Sequence, residues 1–175
     1  MLETARLILR PFRESDAEAV HAWFSDPQVF RFYGFGPYSS LEDTRECIRN
    51  YIEHFKKYGY ARCMVIEKSS GAPIGDAGLR FAEEMGEVAV GFRFAKSHWG
   101  KGFAPEAAEA WVKWGFEHLD IDKIIAFVHE QNISSKRILD KLRFSLFKKE
   151  PDGWEIYQRL RTEYEQGHED SASRN

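Results

Sequence analysis

Only two cysteines, Cys47 and Cys63, occur in 175 residues. So low a number excludes the cystine-dense scaffolds of small secreted domains and points to a reducing cytosol. No apolar run exceeds Ile124 to Val128, whereas a membrane-spanning helix needs about 20 such residues. Glu3, Arg6 and Arg10 stand among the first residues, which is not how a secretory leader reads. Positive charge is not in excess either: the formal net charge of -3 gives no footing for wholesale attraction to nucleic acid or an anionic membrane. No His, Cys or carboxylate cluster has metal-ligand spacing, so no metal is expected. A cytoplasmic, soluble protein with small or peptidic partners is the expectation.

What is present is a 43% hydrophobic, 30% charged chain, long enough for one sizeable core and short for two. The expectation is a single domain over residues 1–160. Past Arg161 the hydrophobic pattern stops, and residues 161–175 read as a polar, disordered tail.

The periodicities predict an α+β order. Leu7-Ile8-Leu9 reads as a short strand, followed by a helix capped near Ser15-Asp16 with Ala19, Val20, Trp23 and Phe24 on one face. Ser39 and Glu42 have capping-box spacing at the head of a second helix that Gly59 ends after Tyr58. Between the helices lies the aromatic, glycine-rich stretch Phe30 to Tyr38. Strands follow at 62–67, 73–81 and 87–94 as an antiparallel meander. Pro105 to Leu119 then carries Ala108, Trp111, Val112, Gly115, Phe116 and Leu119 on one stripe, a helix packed on a sheet. Lys123 to Val128 reads as a buried strand, Ser134 to Leu142 as a short helix, and 144–149 with 154–160 as a hairpin turned at Asp152-Gly153.

The segment Trp99-Gly100-Lys101-Gly102-Phe103-Ala104-Pro105-Glu106-Ala107 joins a strand to that amphipathic helix through a glycine-rich turn. The first turn of a helix leaves backbone N–H groups without intrahelical partners, and nearby glycines let a diphosphate approach them. Pro105 suits the first helical position. A Walker-type loop needs Ser or Thr after Gly-Lys, and here Gly102 follows Lys101. A dinucleotide fingerprint needs a third glycine where Pro105 stands and an acidic end to the next strand, which instead closes on Val128-His129. What survives is a cradle offering N–H groups from Trp99 through Ala104 to a diphosphate without a metal.

Gly91-Phe92 ahead of Gly100-Lys101-Gly102-Phe103-Ala104-Pro105-Glu106-Ala107 resembles the acetyl-coenzyme A loop of the GNAT superfamily of N-acetyltransferases, in its RimJ/RimL-type branch. Thr4 to Phe12 with Asp16 resembles the branch's opening, and Asn132-Ile133-Ser134-Ser135 through Lys141-Leu142-Arg143-Phe144 its late helix and ending. The resemblance implies a mixed, mostly antiparallel twisted sheet with a central strand-helix-strand unit and helices on both faces. It implies acetyl-coenzyme A as co-substrate and a primary amine as acceptor, foremost the N-terminal α-amine of a protein or peptide. It leaves open a small amine such as a polyamine, amino acid or antibiotic, and an inactive coenzyme A binding module. A homodimer is the family's suggestion.

By the same resemblance, the backbone of Phe92 and Phe94 pairs with the pantetheine arm in a gap between splayed strands. Trp99, Gly100, Lys101, Gly102, Phe103 and Ala104 hold the diphosphate, and Asn132 and Ser135 contact the arm. Ser135 is the candidate for assisting thiolate departure; the other reading is that Asn132 or Ser134 only caps the following helix. Glu87 shares one strand face with Ala89, Gly91 and Arg93 and is the candidate base, set against a solvated strand-end glutamate. Lys136, Arg137, Lys141 and Arg143 are candidates for the adenosine phosphate or simply a solvated basic face. Three departures from the family pattern stand out: Ser97 replaces a Gln or Arg, Ala89 a glutamate and Arg143 a glycine.

Overall fold

The computed structural model describes the backbone of residues 1–172 and the side chains of residues 1–166. Eight strands form one sheet: β1 (Leu2–Glu3), β2 (Leu7–Arg10), β3 (Arg62–Glu67), β4 (Pro73–Ala82), β5 (Glu87–Phe94), β6 (Lys123–His129), β7 (Ser145–Lys149) and β8 (Trp154–Leu160). Their spatial order is β1-β2-β3-β4-β5-β6-β8-β7, and all neighbours are antiparallel except β5 and β6. A parallel pair needs a crossover, which α3 (Phe103–His118) supplies. The expected α+β sheet with a central strand-helix-strand unit is what forms.

Strand alternation divides the core. On β3, Cys63 and Val65 turn to the face where Trp111, Val112 and Phe116 of α3 pack, while Met64 turns to the opposite face. There it meets α1 (Ala17–Phe24) and α2 (Leu41–Tyr58). Burial of each such side chain contributes about 1.5–3 kcal/mol, so the two-faced pattern holds the helices in place. Cys47 and Cys63 are both buried free thiols.

Two helix starts differ from the sequence reading. The box at α2 is Ser40 with Asp43, where the Ser40 hydroxyl accepts from the Asp43 N–H at 3.1 Å and the carboxylate accepts from the Ser40 N–H at 2.9 Å. In α1 the inward stripe begins at Ala17 rather than Ala19, which is exposed. Gly59 does end α2, with φ 79°.

The expected disordered tail is corrected over Arg161–Ala172, which forms α5. The guanidinium of Arg161 donates to the carbonyls of Phe116, Leu119 and Ile121 at 2.7, 2.6 and 2.9 Å. Carbonyls at a helix C-terminus have no intrahelical donors, so one arginine satisfies what no apolar pattern announces. Tyr164 packs on Phe116, their rings 4.9 Å apart. Residues 173–175 of the expected tail lie outside the described residues.

After α4 (Ile133–Lys141) the chain turns through Arg143 at φ 59°, the one non-glycine with positive φ among the described residues. A side chain in that region costs about 1–2 kcal/mol. Arg143→Gly is therefore expected to stabilise the fold by about 1 kcal/mol after glycine's own entropic cost, read as a higher denaturation midpoint; an unchanged or lower midpoint would show the strain is compensated.

Candidate active site

At the end of β5, a 3-10 turn at Lys96–His98 leads into Gly100 at φ 74° and Gly102 at φ 80°, the latter the N-cap of α3. Left-handed residues alternating with ordinary ones turn successive N–H groups to one side and form an anion-binding concavity. Among the described residues no acceptor is assigned to the N–H groups of Gly100, Lys101, Gly102, Phe103 or Ala104. Trp99 differs from expectation: its N–H donates to the Lys96 carbonyl at 3.1 Å, so the cradle starts at Gly100. Pro105 stands third in the helix rather than first, still among the four positions whose N–H has no helical partner.

The loop is held from behind by the chain's opening segment. Glu106, in the first turn of α3, accepts from the Thr4 hydroxyl at 2.5 Å, the Arg6 N–H at 2.9 Å and Arg6 Nε at 2.6 Å. Arg6 also donates to the Lys101 carbonyl at 2.9 Å and lies over the Phe103 ring. Burial would raise the carboxyl pKa of Glu106, but these donors hold it below its ordinary value. Thr4, Arg6 and Glu106 thus join two segments that the sequence shows only as separate motifs.

Beside the loop, β5 and β6 part. Their paired residues are Val88 with Ile124 and Ala89 with Ile125, after which β5 runs on to Phe94 and β6 to His129. The Ala95 N–H donates to the Ile74 carbonyl at 2.9 Å, which sets the phase of the β4–β5 ladder. In that phase Arg93 and Gly91 bond to β4, and the backbone groups of Phe92 and Phe94 turn toward the gap. The Phe94 carbonyl already accepts the Trp99 indole N–H at 2.8 Å.

Other predicted residues fall less neatly. Glu87 begins β5 at the closed end of the pair, where it binds Lys123 at 3.0 Å. Between it and the gap lies an apolar cluster of Ala82, Ala89, Ile125 and Ile156. The expected open face is corrected: it is packed at Ala89, and Glu87 stands apart from the gap. Asn132 caps α4 by accepting the Ser135 N–H at 3.2 Å and the Ser134 hydroxyl at 2.9 Å. Ser135 is half-buried one residue beyond, and no partner is assigned to its hydroxyl among the described residues. Lys136 binds Glu155 at 2.6 Å; Arg137, Lys141 and Arg143 are exposed.

The opposite mouth of the gap is aromatic. Phe32 stacks on His129 with ring centroids 6.0 Å apart, Trp154 meets His129 edge-on at 5.8 Å, and Gly34 lies against Trp154. Phe30 instead joins the core under α1 and α2, so the expected wall is divided between lining and packing. Beneath it Asp76, fully buried, binds both Arg62 and Arg93. Local pattern offered no sign of this trio, whose members meet only through strand register. No group of three or more metal-ligating side chains is found among the described residues, nor is any helix there long and apolar enough to cross a membrane.

A splayed parallel pair with backbone groups turned into the opening, and a helix-start anion cradle at its end, suits an amide-bearing arm that ends in a diphosphate. Residues 6–145 match the family model described as the acetyltransferase (GNAT) domain. The "Uncharacterized N-acetyltransferase p20" of Bacillus licheniformis is 32% identical over 145 residues, 82% of this chain and 81% of the relative. An acetyltransferase from Agrobacterium tumefaciens superposes with TM-score 0.79 at 27% identity, covering 90% of this chain and 92% of that one. RimL, a ribosomal alpha-N-protein acetyltransferase, superposes with TM-score 0.77 over 90% of this chain and 91% of its own. At 15% identity that last likeness shows the fold alone. The chain belongs to the GNAT family and is an acetyl-coenzyme A dependent acetyltransferase.

Proposed function

We propose that the chain transfers the acetyl group of acetyl-coenzyme A to a primary amine, namely the N-terminal α-amine of a protein or peptide, as in the RimJ/RimL-like branch. The observation that carries this reading is the gap itself. Phe92 offers its N–H and C=O, and Phe94 its N–H, to the amide-bearing pantetheine arm as a missing strand would. Gly100 to Ala104 take the diphosphate at the arm's far end, with the start of α3 contributing its positive dipole end.

The amine attacks the acetyl carbonyl carbon, the carbon–sulfur bond breaks, and coenzyme A leaves as thiolate while the amine's proton goes to solvent. Ser135, beyond the end of β6, donates to the departing sulfur. With Glu87 away from the gap, base catalysis is weak, and the acceptor's own pKa decides. An α-amine near 7.7–8.0 is about a tenth neutral at pH 7, whereas a lysine-type amine near 10.4 is neutral at only a few parts in ten thousand. Positioning then supplies the acceleration.

Incubation with acetyl-coenzyme A and peptides whose single free amine is either N-terminal or a lysine side chain tests this. Thiol release with the N-terminal set, acetylated at the α-nitrogen by mass spectrometry, is expected. Equal turnover of the lysine set overturns the α-amine reading, and no turnover with retained coenzyme A binding supports the inactive module instead.

A further inference from the structure

The trio, buried at Asp76 and Arg93 and half-buried at Arg62, carries one more positive charge than it balances. Asp76 accepts from Arg62 Nε and Nη2 at 3.0 and 2.5 Å, from Arg93 Nε and Nη2 at 2.9 and 3.3 Å, and from the Trp23 indole at 3.3 Å. The remaining neighbours of Arg93 are neutral: its guanidinium lies 3.9 Å from the Phe24 ring centre and 4.8 Å from that of Phe30, and it donates to the Tyr51 hydroxyl at 3.4 Å. Among the described residues Asp76 is the one carboxylate ion-paired with either arginine. A buried excess charge is costly unless something pairs with it.

Register shows where that excess points. Arg62, Gly78 and Gly91 form one row across β3, β4 and β5. Gly78 lies against the main chain of Ala61 and Arg62, and the Arg62 side chain reaches β5, where a Cβ on Gly91 would run into Nη1. Gly91 lies two residues past Ala89, the last residue of β5 paired with β6, so the row ends at the open gap. This is the face of α1 and α2, away from α3. Across the gap, strand alternation puts Phe127 and His129 on the same face as Ile125. No acceptor is assigned to Arg62 Nη1 among the described residues.

We infer that the acceptor carries a carboxylate beside its amine, and that Arg62 Nη1 binds it at the mouth of the gap. The inference rests on the proposed amine acetylation and names its acceptor class. A carboxylate balances the trio, whereas a polyamine or a polycationic antibiotic adds charge of the wrong sign. The carboxylate comes from an acidic side chain at a peptide N-terminus or from the free α-carboxyl of an amino acid, and the assay separates the two. Arg62→Gln leaves Asp76 paired with Arg93, so the cluster becomes neutral in the variant.

Matched acceptors test it, with kcat/KM taken per neutral amine so that differences in acceptor pKa drop out: dipeptide amides beginning with Asp or Asn and with Glu or Gln, and alanine against alaninamide. For at least one pair, kcat/KM is expected to favour the carboxylate by about tenfold, the kinetic equivalent of one charge-assisted hydrogen bond. Arg62→Gln should remove that preference through KM while coenzyme A affinity by calorimetry stays unchanged. Equal use of both members of every pair by the unmodified enzyme overturns the inference but leaves amine acetylation standing, as does a preference that survives Arg62→Gln. If no amine is acetylated, thermal shift of the coenzyme A complex with glutarate against glutaramide decides independently. Stabilisation by glutarate alone, lost in Arg62→Gln, retains the carboxylate site, and its absence overturns it.

Discussion

Replacing Gly100 and Gly102 together with alanine is expected to weaken coenzyme A binding about 30-fold, because two left-handed side chains cost at least about 2 kcal/mol together. The cost is conformational rather than steric. An added Cβ at Gly100 meets nothing within 4 Å, and at Gly102 it comes within 3.3 Å of only Arg6 Nη2. Both positions are exposed, so the loop relaxes to ordinary dihedrals and the denaturation midpoint changes little. What relaxation destroys is the convergence of the N–H groups from Gly100 to Ala104. Calorimetric titration with coenzyme A beside a melting curve separates the outcomes, since a purely structural role for the glycines would lower the midpoint and leave affinity intact.

Asp76→Asn should cost about 3–5 kcal/mol of folding stability, the usual result of removing one member of a buried charge cluster. It leaves a buried Arg93 and a half-buried Arg62 without their counter-ion. Burial alone would push the Asp76 carboxyl pKa up, but Arg93 and Arg62 outweigh it and hold the value below that of an ordinary aspartate. A carboxylate with a depressed folded pKa contributes stability that is present above the unfolded value, about 3.9, and is lost as pH falls through the lower folded one. The native enzyme keeps this contribution at pH 7 and loses it on acidification below about pH 4. The variant has lost it throughout. Urea midpoints of the two proteins should therefore converge on acidification, and a gap as wide at pH 3 as at pH 7 would place the stabilising interaction elsewhere.

Local periodicity sufficed for much of the fold. Residues Arg62–Glu67 and Glu87–Phe94 formed the strands expected of them, and Gly59 stops α2 in the left-handed conformation. The glycines of the loop likewise declared their backbone geometry in advance. Properties that depend on register did not show in the same way. Arg62, Asp76 and Arg93 are 14 and 17 residues apart, and only strand pairing makes them one cluster. Thr4 and Arg6 meet Glu106 across 102 and 100 residues. Glu87 had the right residue type on the right strand, but alternation says nothing about which end of a parallel pair opens. No apolar periodicity marks the helix after Leu160, because hydrogen bonds from one arginine to three carbonyls secure its start.

Whether the backbone from Gly100 to Ala104 grips the diphosphate is most directly tested by amide nuclear magnetic resonance during titration with coenzyme A. The amide signals of Gly100, Lys101, Gly102, Phe103 and Ala104 should move downfield and exchange with solvent more slowly at saturation, as donors that gain charged acceptors do. Saturating coenzyme A that leaves those five signals in place while shifting others would contradict this assignment of the cradle.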